Sequence, residues 1–389
     1  MLTKLNNMLL KSEDRTCGLF RGGSGNLLFL SYLYDATKNQ EYLTKIADNL
    51  KGIFENLTND NYHCSFSVGI AGLGWIYEDL VERKIINADP NEVLSDVDEL
   101  VYEWMIQEQK NNNYDYLHGA MGGGIYFLKR LKTNPNLKAN IEEHLALLLS
   151  QMIVNSDDNT SFWTQKPNGI FTFEKTYNLG LSHGIPSILV YLSKCYNNGI
   201  GVDILKPIIQ STVNFILKYA QKPQNNSEYY FPTSIGLNGV ANRSSQLAWC
   251  YGDIGICCAL WQAKQILNDK SLDRQILEIL LHNCQIQNLE NARVVDAGLC
   301  HGASGIAHIF KRFYHRYNHP SLKESADYWY KITLNMAIVN DGLASYKQWT
   351  TDGWEYSESF LEGSAGITKT LIYREYGNEP YWDEILLIS

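Results

Sequence analysis

A small-residue motif followed by an apolar run recurs seven times along the chain. In each copy a glycine is followed three positions later by a second glycine, or by Ser187 in the fourth copy. Aliphatic and aromatic residues then return at helical spacing. The first glycines are Gly22, Gly69, Gly119, Gly184, Gly252, Gly302 and Gly363. Each copy predicts a buried helix whose first turn lacks side-chain bulk, so that a neighbouring helix can approach closely.

Amphipathic stretches lie between these motifs, among them NEVLSDVDELVYEWMIQEQ and NIEEHLALLLSQMIV. Their apolar residues recur with the period of a helix that has one buried face. Each repeat therefore predicts an outer helix and an inner helix. Such hairpins form an open solenoid or a closed α/α toroid, and the uneven spacing of the motifs favours closure. We expect an all-α fold, an α/α toroid with about seven inner and seven outer helices, in a single domain over residues 1–389.

Two of the intervals between motifs are longer and rich in aromatic residues, Gly, Pro and Asn. They hold SFWTQKPNGIFTFEKTYNLG and EYYFPTSIGLNGVANRSS, within irregular insertions at roughly 155–180 and 221–248. The first predicts a short β-hairpin that turns at Lys166–Gly169. We expect these short β-hairpin or loop insertions at one mouth of the toroid, near the substrate.

The composition narrows the function classes. The chain has 389 residues, of which 45% are hydrophobic and 19% charged, and a net charge of −9. Without a cluster of Lys and Arg, nucleic acid is not an expected partner. No secretory signal and no run of about 18 apolar residues is present, so we expect a cytoplasmic protein without a transmembrane segment. Cysteines lying among apolar residues are expected to be small buried hydrophobes; they are Cys17, Cys64, Cys195, Cys257, Cys258 and Cys284.

Alignment of the repeats on their first glycine brings polar groups into register. The residues before that glycine are Arg21, Val68, His118, His183, Tyr251, His301 and Glu362. One place earlier, Cys250 and Cys300 occupy equivalent positions in adjacent repeats. If the inner helices are related by pseudo-symmetry, these side chains converge on one mouth. Two thiols and one imidazole, with a fourth position open, are typical of catalytic zinc. The sequence thus predicts one Zn²⁺ per chain on Cys250, Cys300 and His301.

The segments WCYGDIG, LCHGASG and SHGIPS, together with the seven glycine motifs, resemble the lanthionine synthetase C-like family, and within it the stand-alone lantibiotic cyclases. The resemblance spans nearly the whole chain. It implies an α/α toroid of seven inner and seven outer helices, in agreement with the repeats. It also implies that the zinc ligands are Cys250, Cys300 and His301.

The resemblance implies further site residues. The proposed acid/base histidine of the family falls on His183, and a site aspartate falls on Asp115; Tyr251 and Trp249 match residues that flank the first cysteine ligand. The family usually has an arginine four residues before that cysteine, where this chain has Gln246. Arg243 is the nearest candidate replacement. A helix cap remains the structural alternative for Asp115, and simple packing the alternative for Tyr251.

The implied reaction is zinc-dependent addition of peptide cysteine thiols to dehydroalanine or dehydrobutyrine, which closes lanthionine or methyllanthionine rings. His183 would serve in acid/base work, with Asp115 orienting it and Arg243 or His118 assisting the enolate oxygen. The implied partners are a dehydrated lantibiotic precursor peptide with its leader, and a dehydratase and an ABC transporter in a biosynthetic complex. Such a complex would hold the protein peripherally at the inner face of the membrane.

Three other classes compete with this interpretation. A prenyltransferase-like enzyme also alkylates thiols with zinc in an α/α toroid, but it requires clustered Lys and Arg for a diphosphate. A non-catalytic or glutathione-binding member of the wider family would keep the fold and the metal. A glycoside hydrolase requires a carboxylate pair and leaves the two cysteines unexplained.

Overall fold

The computed structural model describes residues 2–57, 62–164, 176–340, 343–377 and 381–389. The α-helices are α1 (Leu2–Leu9), α2 (Gly23–Thr37), α3 (Gln40–Leu57), α4 (Ile70–Glu82), α5 (Pro90–Val93), α6 (Ser95–Lys110), α7 (Ala120–Arg130), α8 (Lys138–Ser150), α9 (Ile185–Asn197), α10 (Val202–Lys218), α11 (Asp253–Leu267), α12 (Lys270–Asn283), α13 (Leu289–Ala292), α14 (Ala303–Tyr317), α15 (Pro320–Asn335) and α16 (Ser364–Tyr376). Short 3-10 helices span Pro135–Leu137 and Tyr381–Leu386.

Each of the seven glycine motifs begins one inner helix among the described residues, as the repeats predict. These are α2, α4, α7, α9, α11, α14 and α16, each starting directly after its motif's first glycine. Their residues are buried on nearly every side, at least over the first two turns. The helices α3, α6, α8, α10, α12 and α15 form the outer layer with one buried face each, and α1 packs on α16. The all-α toroid prediction is confirmed.

Backbone hydrogen bonds join the loops of neighbouring repeats, and the one between the last repeat and the first closes the ring. The backbone amide of Phe20 donates to the Ser67 carbonyl at 2.9 Å, and the amide of Phe360 donates to the Phe20 carbonyl at 3.1 Å. A Cβ on Gly25 would lie 2.5 Å from the Leu19 carbonyl oxygen of its own loop and 2.7 Å from Cβ of Phe360 in the last repeat. The second glycine of a motif therefore permits close approach by its own loop as well as by the neighbouring repeat.

In the described part of the chain, nine short strands interrupt the helices: β1 (Ile153–Asn155), β2 (Thr160–Phe162), β3 (Thr176–Asn178), β4 (Ser234–Gly236), β5 (Ala241–Asn242), β6 (Ile338–Asn340), β7 (Leu343–Ser345), β8 (Lys347–Thr350) and β9 (Gly353–Tyr356). Strands β1 and β2 pair through a turn at 156–159, whereas the predicted turn at Lys166–Gly169 lies outside the described residues. Strands β3, β4 and β5 join both predicted insertions in one antiparallel sheet. The hairpins β6–β7 and β8–β9 were not predicted.

Residues 381–388 run through the bore of the ring. Side chains from several inner repeats donate to their carbonyl oxygens: Tyr116 to residue 385, Trp249 to 386, Gln262 to 387 and Arg316 to 388. The segment's apolar side chains from position 382 onward are at most 1% exposed. It thus fills the centre of the toroid and ties neighbouring repeats to one another.

Two sequence expectations concern single features of the chain. All eight cysteines are free thiols, and among the six expected to be buried hydrophobes only Cys64 is partly exposed. Within the described part of the chain, none of the helices combines the length and apolar character needed to cross a membrane.

Candidate metal centre and active site

Cys250, Cys300 and His301 meet at one mouth of the toroid. They lie in the loops that lead into α11 and α14, and the backbone amides of Trp249 and Cys250 both donate to the Cys300 carbonyl, at 3.1 and 3.3 Å. This pairing of adjacent loops brings the three side chains together. One ligand atom from each lies within 4.8 Å of the other two. The convergence predicted from the aligned repeats is confirmed.

Hydrogen bonds among the three groups shift their pKa values in different directions. Hydrogen bonding with Cys300 holds the pKa of the Cys250 thiol well below its usual range, although burial opposes this. The same hydrogen bond raises the pKa of the Cys300 thiol. Hydrogen bonding with Cys250 raises the pKa of His301 to about 9. These pKa directions favour the thiolate at Cys250 over the thiolate at Cys300, and Cys250 is 6% exposed.

Gln246 touches the sulfur of the first candidate ligand. Its Nε2 lies 3.9 Å from Cys250 Sγ, so the amide can donate to the thiolate. This is the position at which the family resemblance leads one to expect arginine. The guanidinium of Arg243 instead donates to the backbone carbonyls of Tyr230 and Tyr219, at 3.5 and 3.2 Å.

His183, which is partly exposed, pairs with the buried Asp115 beside this centre. Nδ1 of His183 lies 2.6 Å from Oδ2 of Asp115, and Oδ1 of Asp115 accepts from the backbone amides of Leu117 and His118, both at 2.8 Å. Burial alone would raise the pKa of Asp115, but the neighbouring His183 holds it below its usual value. Burial opposes charge on His183 too, yet the Asp115 carboxylate keeps the pKa of this imidazole above its usual value.

Tyr251 connects this pair to an open cleft. Its ring stacks on that of His183 with centroids 6.1 Å apart, and its hydroxyl accepts from Asn178 Nδ2 at 2.9 Å. Burial raises the pKa of the hydroxyl, so it stays protonated at neutral pH. The cleft has a volume of about 840 Å³ and is lined by Tyr251, Gln246, Arg243 and the sheet β3–β5. The strands β3–β5, which belong to the predicted insertions, thus form a wall at the mouth that holds the metal centre.

The other members of the aligned column take up separate positions at this mouth. Arg21 pairs with Glu362 at 2.7 Å, which joins the first repeat to the last. The ring of His118 stacks on His183 with centroids 6.1 Å apart, and burial lowers the pKa of His118. His118 therefore lies beside the acid/base candidate as a neutral imidazole at pH 7.

The segment in the bore supports both parts of the site from within the ring. Tyr116, next to Asp115, donates its hydroxyl to the residue 385 carbonyl at 2.6 Å. Trp249, next to Cys250, donates its indole N–H to the residue 386 carbonyl at 2.6 Å. Sequence reasoning missed this support, as it missed the contacts of Gln246 and Asn178. Only the apolar pattern of YWDEILLIS could have indicated that this segment is buried.

The helical hairpins form a closed ring, and two thiols and an imidazole meet at one of its mouths. The chain is therefore a helical toroid with a thiol-rich candidate metal centre. The model of a protein family described as lanthionine synthetase C-like protein matches residues 13–387. The chain therefore belongs to the lanthionine synthetase C-like family.

Two solved structures are similar to the chain. The chain is similar to nisin cyclase with a TM-score of 0.79 and 17% identity, over 99% of this chain and 97% of that one. It is also similar to cellobiose 2-epimerase from Bacillus thermoamylovorans B4167, with a TM-score of 0.47 and 10% identity, over 92% of this chain and 88% of that one. The first of these likenesses confirms the α/α toroid. No curated protein sequence matches the chain.

Proposed function

We propose that this protein is a zinc-dependent cyclase that adds peptide cysteine thiols to dehydroalanine or dehydrobutyrine and so forms lanthionine or methyllanthionine rings. The observation that carries the proposal is the position of the Cys250–Cys300–His301 group beside the His183–Asp115 pair, at one mouth and next to an open cleft. Thiol activation and proton transfer are the two requirements of this addition.

The donor set fits zinc. Two thiolates and one imidazole are zinc ligands, with typical bond lengths of about 2.3 Å to sulfur and about 2.0–2.1 Å to nitrogen. Among the described residues, no fourth His, Cys or carboxylate joins the group. Three protein ligands leave a position for a substrate thiol. A zinc ion bound there would lower the pKa of that thiol, which is otherwise about 8.5.

The residues around the centre account for the rest of the addition. The substrate sulfur forms a bond to the β-carbon of the dehydroamino acid, and the proton lost from the thiol is balanced by one gained at the α-carbon. His183, held charged and oriented by Asp115, is the proton donor to that carbon. The protonated hydroxyl of Tyr251 and the neutral His118 are hydrogen-bond donors for the enolate oxygen.

The contacts of two arginines at the mouth favour thiol addition to a dehydroamino acid over prenyl transfer. A diphosphate requires several free Lys or Arg side chains. Arg21 is paired with Glu362, and Arg243 donates to backbone carbonyls. The proposed substrate is a dehydrated precursor peptide with its leader. A dehydratase would supply this peptide and an ABC transporter would export the product. The proposed location is the cytoplasm, peripherally at the membrane.

Metal analysis and a peptide assay test the proposal. The wild-type protein is expected to bind one zinc ion per chain, and Cys300→Ala is expected to lose it. The matched control Cys284→Ala, which removes a buried thiol from the loop after α12, is expected to retain zinc. A synthetic peptide with one cysteine and one dehydroalanine is expected to lose its free thiol without any change in mass. Wild-type protein that binds zinc but leaves the thiol free would instead be a non-catalytic or glutathione-binding member of the family.

A further inference from the structure

The hairpin β8–β9 carries an aromatic face that no described element covers. In its register Lys347 pairs with Tyr356, and Trp349 pairs with Trp354. Because alternate pairs share a face of a hairpin, these four side chains lie on one side, and Gln348 and Glu355 lie on the other. The aromatic side chains are 49%, 50% and 58% exposed for Trp349, Trp354 and Tyr356. Exposed clusters of this kind commonly mark interaction sites.

The face is organised and has a groove beside it. The indole rings of Trp349 and Trp354 meet edge to face with centroids 5.4 Å apart, and the ammonium of Lys347 lies 4.9 Å from the centre of the Tyr356 ring. The adjoining groove has a volume of about 210 Å³ and is lined mainly by apolar side chains. They include Val295, Ala297, Met336, Ile338 and Trp354.

One carboxylate fixes the hairpin to the loop of the metal centre. Asp296 accepts from the backbone amide of Trp349 at 3.0 Å through Oδ2 and from that of Gly298 at 2.9 Å through Oδ1. Cys300 and His301 follow in the same loop. The groove and the candidate ligands are therefore built on one stretch of chain, residues 295–301.

We propose that this aromatic face binds an apolar segment of the peptide substrate, outside the residues that form the ring. This inference rests on the proposed cyclase function, because the occupant is the peptide whose thiol reaches the metal centre. Val295 of the groove and His301 of the centre are six residues apart along the chain, so a peptide of about six extended residues, at about 3.3–3.6 Å each, is long enough to reach from one to the other. Aromatic anchors in an apolar groove carry much of the affinity in peptide recognition.

Two synthetic peptides test the inference. Both contain one cysteine and one dehydroalanine separated by three residues; one has a flanking segment with Leu and Phe, and the other has a Gly-Ser flank of equal length. For wild-type protein, the kcat/KM is expected to be about 10-fold higher for the apolar-flank peptide than for the Gly-Ser peptide, because the KM is lower. Trp354→Ala and Trp349→Ala are expected to abolish that preference and to leave zinc content and the kcat for the Gly-Ser peptide unchanged.

Glu355→Ala is the matched control in the same hairpin. It removes the hydrogen bond with Gln348 on the opposite face, so it weakens the hairpin and leaves the aromatic face in place. It is expected to keep the wild-type preference, and loss of the preference in this variant would overturn the inference. Equal cyclisation of both peptides by wild-type protein would overturn it too, whereas cyclisation of neither would reject the proposed function itself.

Two further measurements decide between occupants of the face. A wild-type dimer in sedimentation that Trp354→Ala dissociates would assign the face to a second copy of the chain. Binding to phosphatidylcholine vesicles that Trp354→Ala abolishes would assign it to a lipid surface. Either result would overturn the proposal of a peptide site.

Discussion

Replacement of Asp115 by Asn tests the acid/base pair directly. The variant keeps the shape of the side chain and an Oδ1 that accepts from the backbone amides of Leu117 and His118. It removes the negative charge that lies 2.6 Å from Nδ1 of His183. The substitution therefore isolates the charged contact from the two local hydrogen bonds that shape the loop.

The size of the effect follows from the burial of the contact. Asp115 is 1% exposed, so solvent does not replace the lost interaction. A hydrogen bond to a charged group contributes about 1.5–3 kcal/mol. If the same contact stabilises the charged, oriented imidazole during proton transfer, its loss lowers kcat by about 10- to 150-fold. The general-acid contribution as a whole, about 100- to 10,000-fold, is the upper limit.

The pH dependence has a definite sign. Asp115 holds the pKa of His183 above its usual value, so the imidazolium persists to higher pH in the wild-type protein. The Asp115 charge raises the pKa of His183 and burial lowers it, so Asp115→Asn leaves the effect of burial without this opposing charge. If His183 donates the proton, the decline of rate with rising pH is expected to begin at lower pH in the variant.

The assay is the rate of thiol loss against pH under saturating peptide, with Asp98→Asn as the matched control. Asp98 is also a buried carboxylate, paired with Arg130 at 2.6 Å between α6 and α7. This control is expected to lower the free energy of unfolding and to leave the pH profile unchanged. A profile for Asp115→Asn that coincides with the wild-type profile would refute the assignment of His183 as the proton donor.

Three other predictions concern the metal, the bore and the ring. Chelation of zinc is expected to lower Tm in the wild-type protein but not in Cys300→Ala, because a ligand that binds only the folded state stabilises it; equal shifts would argue against the site. Trp249→Phe removes the indole donor to the Leu386 carbonyl and is expected to weaken zinc binding about 10-fold in a chelator competition. The control Gln262→Met removes a similar hydrogen bond farther along α11 and is expected to leave zinc binding unchanged. Gly124→Ala places a Cβ 2.7 Å from the Tyr191 ring, between α7 and α9, and is expected to cost about 1–3 kcal/mol in urea unfolding; an unchanged midpoint would contradict the packing.

The register of the repeats explains how much of the site the sequence could predict. Cys250 and Cys300 precede their motif glycines by the same number of residues, so the pseudo-symmetry of the ring makes them neighbours without knowledge of the coordinates. His183 shares the mouth-facing column for the same reason. Asp115 lies outside these columns, and the expectation that it meets His183 depended on resemblance to the family.

Other contacts depend on chain paths that no local pattern encodes. The strands β3 and β4 come from two separate insertions, so their pairing, and the cleft wall that it forms beside Tyr251, requires the closed ring. The aromatic residues of β8 and β9 alternate with polar residues, as in many strands, so the sequence does not indicate where the hairpin packs. The hydrogen bond from the Trp349 amide to Asp296 shows where the hairpin is fixed.

The sequence by itself determined the helical repeats, favoured their closure and predicted the convergence of the two thiols and the imidazole, because periodic burial and equal offsets from glycine are properties of local order along the chain. Only the tertiary structure decided that residues 381–388 fill the bore and hold Trp249 and Tyr116 from within. The physical reason is that a short apolar segment can bury itself in any cavity of suitable size. The cavity, and the donors that satisfy the segment's carbonyl groups, exist only once the ring has closed.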